Sequence, residues 1–164
     1  MLYSLEKTKD FATLQRPPAA LENIAKILTD EHFERSLTNY PGINGTLGVR
    51  PEKYAENKVP TPSAVDLAFA TNEVSPKIVL SEMKFECHSI KKTEALASDI
   101  VNKIRGTKTL FSQDIPFCSN VYVLVDDAQQ QVLSRLQKEL AGKKNPSYRV
   151  CMLQDLYNEF FVDR

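Results

Sequence analysis

Ser63-Ala64-Val65-Asp66-Leu67-Ala68-Phe69, a short polar break, and Lys77-Ile78-Val79-Leu80-Ser81-Glu82-Met83-Lys84-Phe85 form the stretch around which the rest of the chain is organised. In an extended strand, alternate side chains point to opposite faces. Val65, Leu67 and Phe69 then share a face with Val79, Ser81, Met83 and Phe85, which reads as core. The opposite face carries Ala64, Asp66, Ala68, Ile78, Leu80, Glu82 and Lys84, and so holds three charges. Asn72-Glu73-Val74-Ser75-Pro76 has the composition of a hairpin connection, with Pro76 where a central strand would not accept it. A turn centred on Val74 sets Asp66 opposite Glu82 and Ala64 opposite Lys84. Directly opposed residues stand with Cβ atoms roughly 5 Å apart, so two carboxylates and an amine converge.

Two facing carboxylates repel unless a cation joins them. Lys84 can serve. A divalent metal serves better, because Mg²⁺ prefers hard oxygen ligands and is often held by one or two carboxylates together with a substrate phosphate. A metal acidifies water and screens phosphate charge, while a neighbouring ammonium positions the nucleophile, so the layout suits phosphodiester hydrolysis. An acidic residue two positions before a lysine is also common on any solvated strand face, and the motif is a hypothesis about chemistry.

Asp66, fifteen intervening residues, then Glu82-x-Lys84, with an amphipathic helix and a buried strand to follow, resembles the PD-(D/E)XK phosphodiesterase superfamily, the restriction-endonuclease-like nucleases. The resemblance covers residues 21 to 125. It departs at Val65, since the signature has proline before the aspartate and the nearest prolines here are Pro60 and Pro62. The resemblance implies an α/β protein, a three-layer α/β/α arrangement with a central mixed β-sheet. It implies Mg²⁺, or Mn²⁺, held by Asp66, Glu82 and the main-chain carbonyl of Met83, with Lys84 assisting the attacking water. Some relatives place a further carboxylate on the first helix, where Glu22 is the candidate; Glu31 and Glu34 rank below it. The implied activity is a metal-dependent endonuclease acting on DNA.

At 164 residues, the chain has the length of a single domain, 1–164, with an arm or short helix over 1–16. Its hydrophobic content is 42%, which suits a globular core. Cys87, Cys118 and Cys151 stand apart from one another and from His32 and His88, so neither a disulfide framework nor a structural zinc is expected. No apolar run has the length of a membrane span, and the start lacks a signal-peptide pattern, which reads as a cytoplasmic protein without a membrane partner. The 21 basic and 21 acidic residues cancel. Neutrality weighs against a nucleic-acid binder and favours the alternative, a noncatalytic accessory or protein-binding module on a nuclease-like fold.

Pro17-Pro18 and the stripe Leu21, Ile24, Ile27, Leu28 predict a helix, and a second helical piece can carry Phe33 and Leu37. Residues 40–62 hold three of the five glycines and four of the nine prolines, with a short strand at Thr46-Leu47-Gly48-Val49-Arg50. Arg50 and Lys53 there, and Lys91 and Lys92 beyond the hairpin, are the candidate contacts to a nucleic-acid backbone. Leu96, Ile100, Val101 and Ile104 predict a helix closed by Gly106, whose end gathers Lys103, Arg105 and Lys108 in keeping with the helix dipole. Asn120-Val121-Tyr122-Val123-Leu124-Val125 reads as a central, parallel strand. Asp126 and Asp127 then cap a helix with Val132, Leu133, Leu136 and Leu140. A last strand near Tyr148 leads to a helix whose aromatic end, Phe160 and Phe161, packs in the core or forms the face of a homodimer.

Overall fold

The structure is a computed structural model and describes residues 1–87, 89–111, 114–126, 129–143 and 146–163. His88 and Asp127, named above, lie outside the described residues. The described chain runs α1 (Leu5–Leu14), β1 (Leu21–Asn23), α2 (Ile24–Asp30), β2 (Leu47–Val49), α3 (Pro51–Ala55), β3 (Leu67–Ala70), β4 (Ile78–Lys84), α4 (Thr93–Leu110), β5 (Phe117–Val125), α5 (Gln130–Ala141), β6 (Ser147–Cys151) and α6 (Leu153–Phe160). The six strands make one mixed sheet in the order β1-β2-β3-β4-β5-β6, antiparallel as far as β4 and parallel from β4 to β6. No described helix is long and apolar enough to cross a membrane.

The β3–β4 hairpin has the register expected of a turn centred on Val74: Leu67 pairs with Ser81, Ala68 with Leu80, Phe69 with Val79 and Ala70 with Ile78. Thr71 closes it twice, its N–H donating to the Lys77 carbonyl (2.9 Å) and its Oγ1 accepting from the Lys77 N–H (3.0 Å). Both faces of the hairpin are core, however, not one. Leu67, Phe69, Val79 and Met83 pack under α2 and α6, while Ala68, Ile78 and Leu80 pack with Ile100 and Ile104 of α4 and with Phe11 of α1. Residues 78–80 of β4 and 121–125 of β5 therefore read as apolar runs, as strands covered on both sides do. Asp66 and Glu82 are the buried acids of this hairpin, at the end away from its turn.

Three elements depart from the sequence reading. The expected helix after Pro17-Pro18 begins later, because Leu21–Asn23 pairs with β2 as an edge strand and Asn23 caps α2, its Oδ1 accepting from the Ala25 N–H (2.8 Å). Gly106 does not close α4, which continues to Leu110. A Cβ at Gly106 would lie 1.9 Å from the Ser63 carbonyl oxygen, so the glycine marks a crossing of chain over helix. Thr107, next to it, fixes the crossing: its Oγ1 accepts from the buried Val65 N–H (2.9 Å) and donates to the Lys103 carbonyl (2.8 Å). Finally, Gln129 occupies the N-cap of α5, and the Asp126 carboxylate instead pairs with Arg35 (3.0 Å).

Residues 1–16 hold a helix capped by Ser4 and are not a free arm. Leu2 and Tyr3 donate backbone hydrogen bonds to the Phe160 carbonyl (3.0 and 2.8 Å). Phe160 and Phe161 are buried against Phe69, Tyr122 and Tyr3, so the aromatic end of α6 is core and is not available as a dimer face.

Gly→Ala in an exposed helix interior ordinarily gains up to about 1 kcal/mol. At Gly106 the collision with Ser63 outweighs it, and overpacking of this kind costs about 1–3 kcal/mol. Gly106→Ala is expected to lower the unfolding free energy by at least about 1 kcal/mol in urea titration. Gly142→Ala, at an open helix end, is expected to stay within about 0.5 kcal/mol of the parent.

Candidate functional site

Asp66 precedes β3 and is 1% exposed; Glu82 lies in β4 and is 0% exposed. Continuing the hairpin register by one pair brings them together. Asp66 Oδ2 accepts the Met83 N–H (2.6 Å), so its side chain extends the hydrogen bonding of the hairpin past the last backbone pair. Lys103, one turn before Thr107 on the same face of α4, reaches both acids. Its Nζ lies 2.7 Å from Glu82 Oε1 and 3.6 Å from Asp66 Oδ1. Lys84 Nζ also donates to Glu82 Oε1. Glu82 Oε2 is buried and has no partner among the described residues.

Burial pushes the Asp66 carboxyl up to about 7, and the charge on Glu82 adds to the rise; Lys103, the Met83 N–H and Lys84 oppose it. Burial works against the ammonium of Lys103, but the attraction of Glu82 and Asp66 prevails and its pKa is raised. The pair is thus one in which Asp66 holds its proton unusually long and Lys103 never gives its proton up near neutrality.

A second group of acids meets Asp66 from the other side. Glu31, just past α2, and Glu52, in the first turn of α3, are half-buried; with Asp66 each offers a carboxylate oxygen, all within 4.8 Å of one another. Arg50, 8% exposed, binds this group together. Its guanidinium donates to Asp30 (2.7 Å), Glu52 (2.9 Å) and Glu31, with Glu22 at 3.6 Å. Burial raises the Glu31 carboxyl, as do the charges on Asp66 and Glu52, with Arg50 opposing.

The donor set suits a hard cation. Octahedral Mg²⁺ with bonds of about 2.1 Å spaces its ligand oxygens by about 4 Å at most, so carboxylates within 4.8 Å need only small adjustments. The unpartnered Glu82 oxygen is one more hard donor beside Asp66. Two clefts open here. One, of about 320 Å³, is lined by Glu31, Met83, Lys84 and Lys92; the other, of about 410 Å³, by Glu52, Ser63 and Lys103.

Of the residues expected from the sequence, Asp66, Glu82 and Lys84 come together, and Met83 takes part through its N–H. Glu22 does not join the metal-suited group: it lies on β1 and pairs with Lys53 (2.9 Å), Lys26 (3.6 Å) and Arg50 (3.6 Å). Arg50 is buried under carboxylates and cannot meet a phosphate backbone, and Lys53 is engaged by Glu22. Lys91 and Lys92 are exposed in a short 3₁₀ turn before α4, with Lys92 in the Lys84 cleft. Sequence reasoning missed Glu52 and Lys103 and ranked Glu31 low. The spacing Lys103-x-x-Gly106-Thr107 carried the signal for Lys103, since it puts an amine on the helix face that the chain crosses.

Compared with protein-family models, with curated proteins and with solved structures, the chain matches none.

A carboxyl whose pKa is raised on folding takes up a proton as the chain folds, at pH values between its unfolded and folded pKa. For Asp66 that window runs from about 4 to about 7, and stability is lost as pH rises through it. Asp66→Asn removes this loss. In metal-free urea titrations the variant is expected to match the parent near pH 4 and to exceed it by at least about 1.4 kcal/mol, the worth of one pKa unit, at about pH 7.5.

Proposed function

We propose that the chain is a metal-dependent phosphodiesterase, a nuclease acting on DNA, with a restriction-endonuclease-like arrangement of its three layers. The observation that carries this reading is the meeting of Asp66, Glu82 and Lys84 at one end of two adjacent strands, with both acids fully buried. Burying charge pairs seldom adds stability over apolar packing. Keeping two like charges side by side in the core, with one carboxylate oxygen unpartnered, is costly unless the site has a use.

In this reading Asp66 is the shared ligand, with the open Glu82 oxygen beside it and Glu31 and Glu52 within reach. A bound Mg²⁺ supplies charge neutralisation at the phosphate and acidifies water. Glu82 holds the Lys84 ammonium at the mouth of a cleft, where it orients the incoming water and offsets charge that builds on the phosphoryl oxygens. Exposed Lys91 and Lys92 meet phosphates flanking the cleaved one. Cutting both strands of a duplex takes two such sites, which a twofold pair of chains supplies through a surface other than the buried end of α6.

One observation favours the noncatalytic reading. Lys84, Lys103, Arg50 and Lys53 are each already bound to carboxylates, which leaves little free positive charge at the site.

Plasmid, linear duplex, single strands and RNA incubated with Mg²⁺ or Mn²⁺ separate the two. Lys84→Ala is expected to lower turnover by about 10²-fold or more with a much smaller change in affinity, because its interaction is strongest in the transition state. Failure of the parent both to bind Mn²⁺ and to cut any substrate would leave the accessory role. Replacing Lys91 and Lys92 together by Ala is expected to weaken binding to every sequence. The slope of log affinity against log salt is expected to fall by about 0.9 for each duplex phosphate that these lysines no longer neutralise.

A further inference from the structure

Resting on the metal-dependent reading above, we infer that Lys103 is the resident counter-ion of this site: its ammonium occupies the place between Asp66 and Glu82 that a divalent cation takes, and metal loading displaces it. The geometry is direct. Lys103 Nζ is 2.7 Å from Glu82 Oε1 and 3.6 Å from Asp66 Oδ1, and both acids are buried, so the amine stands where an ion shared by the two carboxylates would stand.

Position makes the two cations exclusive. Lys103 Nζ lies within contact distance of one oxygen of each buried acid, and an ammonium and a divalent ion cannot both stand between Glu82 Oε1 and Asp66 Oδ1.

Lys103 can leave where Arg50 cannot. Arg50 is gripped by Asp30, Glu31 and Glu52 and is nearly sealed from water. Lys103 has a flexible stem, a partly exposed side chain, and a way out. It lines the 410 Å³ cleft whose walls carry Glu52 and Glu56, and Asp99 lies one turn earlier on α4. The departing ammonium therefore turns toward Glu56 and Asp99, carboxylates outside the metal-suited group. The α4 crossing at Gly106 keeps its backbone in place while the side chain moves.

Two ligands that compete for one place oppose each other by the same factor in either direction. Mn²⁺ binding followed by calorimetry is expected to be tighter by about tenfold or more in Lys103→Gln than in the parent, within the usual range of such coupling. Lys103→Arg, which keeps the charge, is expected to bind more weakly than Lys103→Gln. Acetylation of Lys103 in the parent chain, quantified by peptide mass spectrometry, is expected to rise several-fold when Mn²⁺ is present. This labelling does not depend on a variant folding, and it decides alone if Lys103→Gln does not fold. A parent that binds Mn²⁺ with Lys103 labelling unchanged, or a folded Lys103→Gln that binds no tighter, overturns the inference and leaves the metal-dependent reading intact. Absence of Mn²⁺ binding in the parent and in both variants overturns the two together.

Discussion

The close crossing of residues 63–65 over α4 at Gly106 is the contact on which the site depends. With no side chain at Gly106, the Ser63 carbonyl can rest on the helix, and Thr107 then takes the Val65 N–H that the crossing would otherwise bury unpaired. That contact sets the depth of α4 against the sheet. Depth decides whether Lys103, one turn away, ends in water or on Glu82. Two buried acids without that amine would face each other with Lys84 alone to neutralise them.

Around this centre the charges form two groups that share Asp66. On one side Lys84 and Lys103 hold Glu82; on the other Arg50 ties together Asp30, Glu31 and Glu52 from the ends of α2 and α3. The first group is made of lysine stems whose side chains line two clefts. The second is rigid, because a planar guanidinium with several carboxylate partners has little freedom. The overall neutrality of the chain fits this local pairing, since the acids and bases of the site largely cancel one another.

The hairpin was legible from the chain alone. Alternation over residues 63–69 and 77–85 and the composition of 72–76 fix a register of local origin, and Asp66 meeting Glu82 follows from it without reference to any distant residue. The apolar run of β5 was equally plain, because a strand covered on both faces needs no polar alternation. Misreadings came where one signal serves two purposes. Glycine in a helical pattern marks either an end or a close approach, and Gly106 marks the latter. The stripe through Leu21 and Ile24 suits a helix, but pairing with β2 claims its first residues as strand.

What the sequence by itself determined is thus the pair of acids and the adjacent amine, Asp66, Glu82 and Lys84, because a two-residue period and one turn place them. What only the tertiary structure decided is the company they keep. Glu31, Glu52, Arg50 and Lys103 belong to other elements, and in a chain that is 26% charged each has many conceivable partners. Their choice depends on the angle and depth at which helices meet the sheet, quantities set by packing at a few close contacts and not by the spacing of charges along the chain.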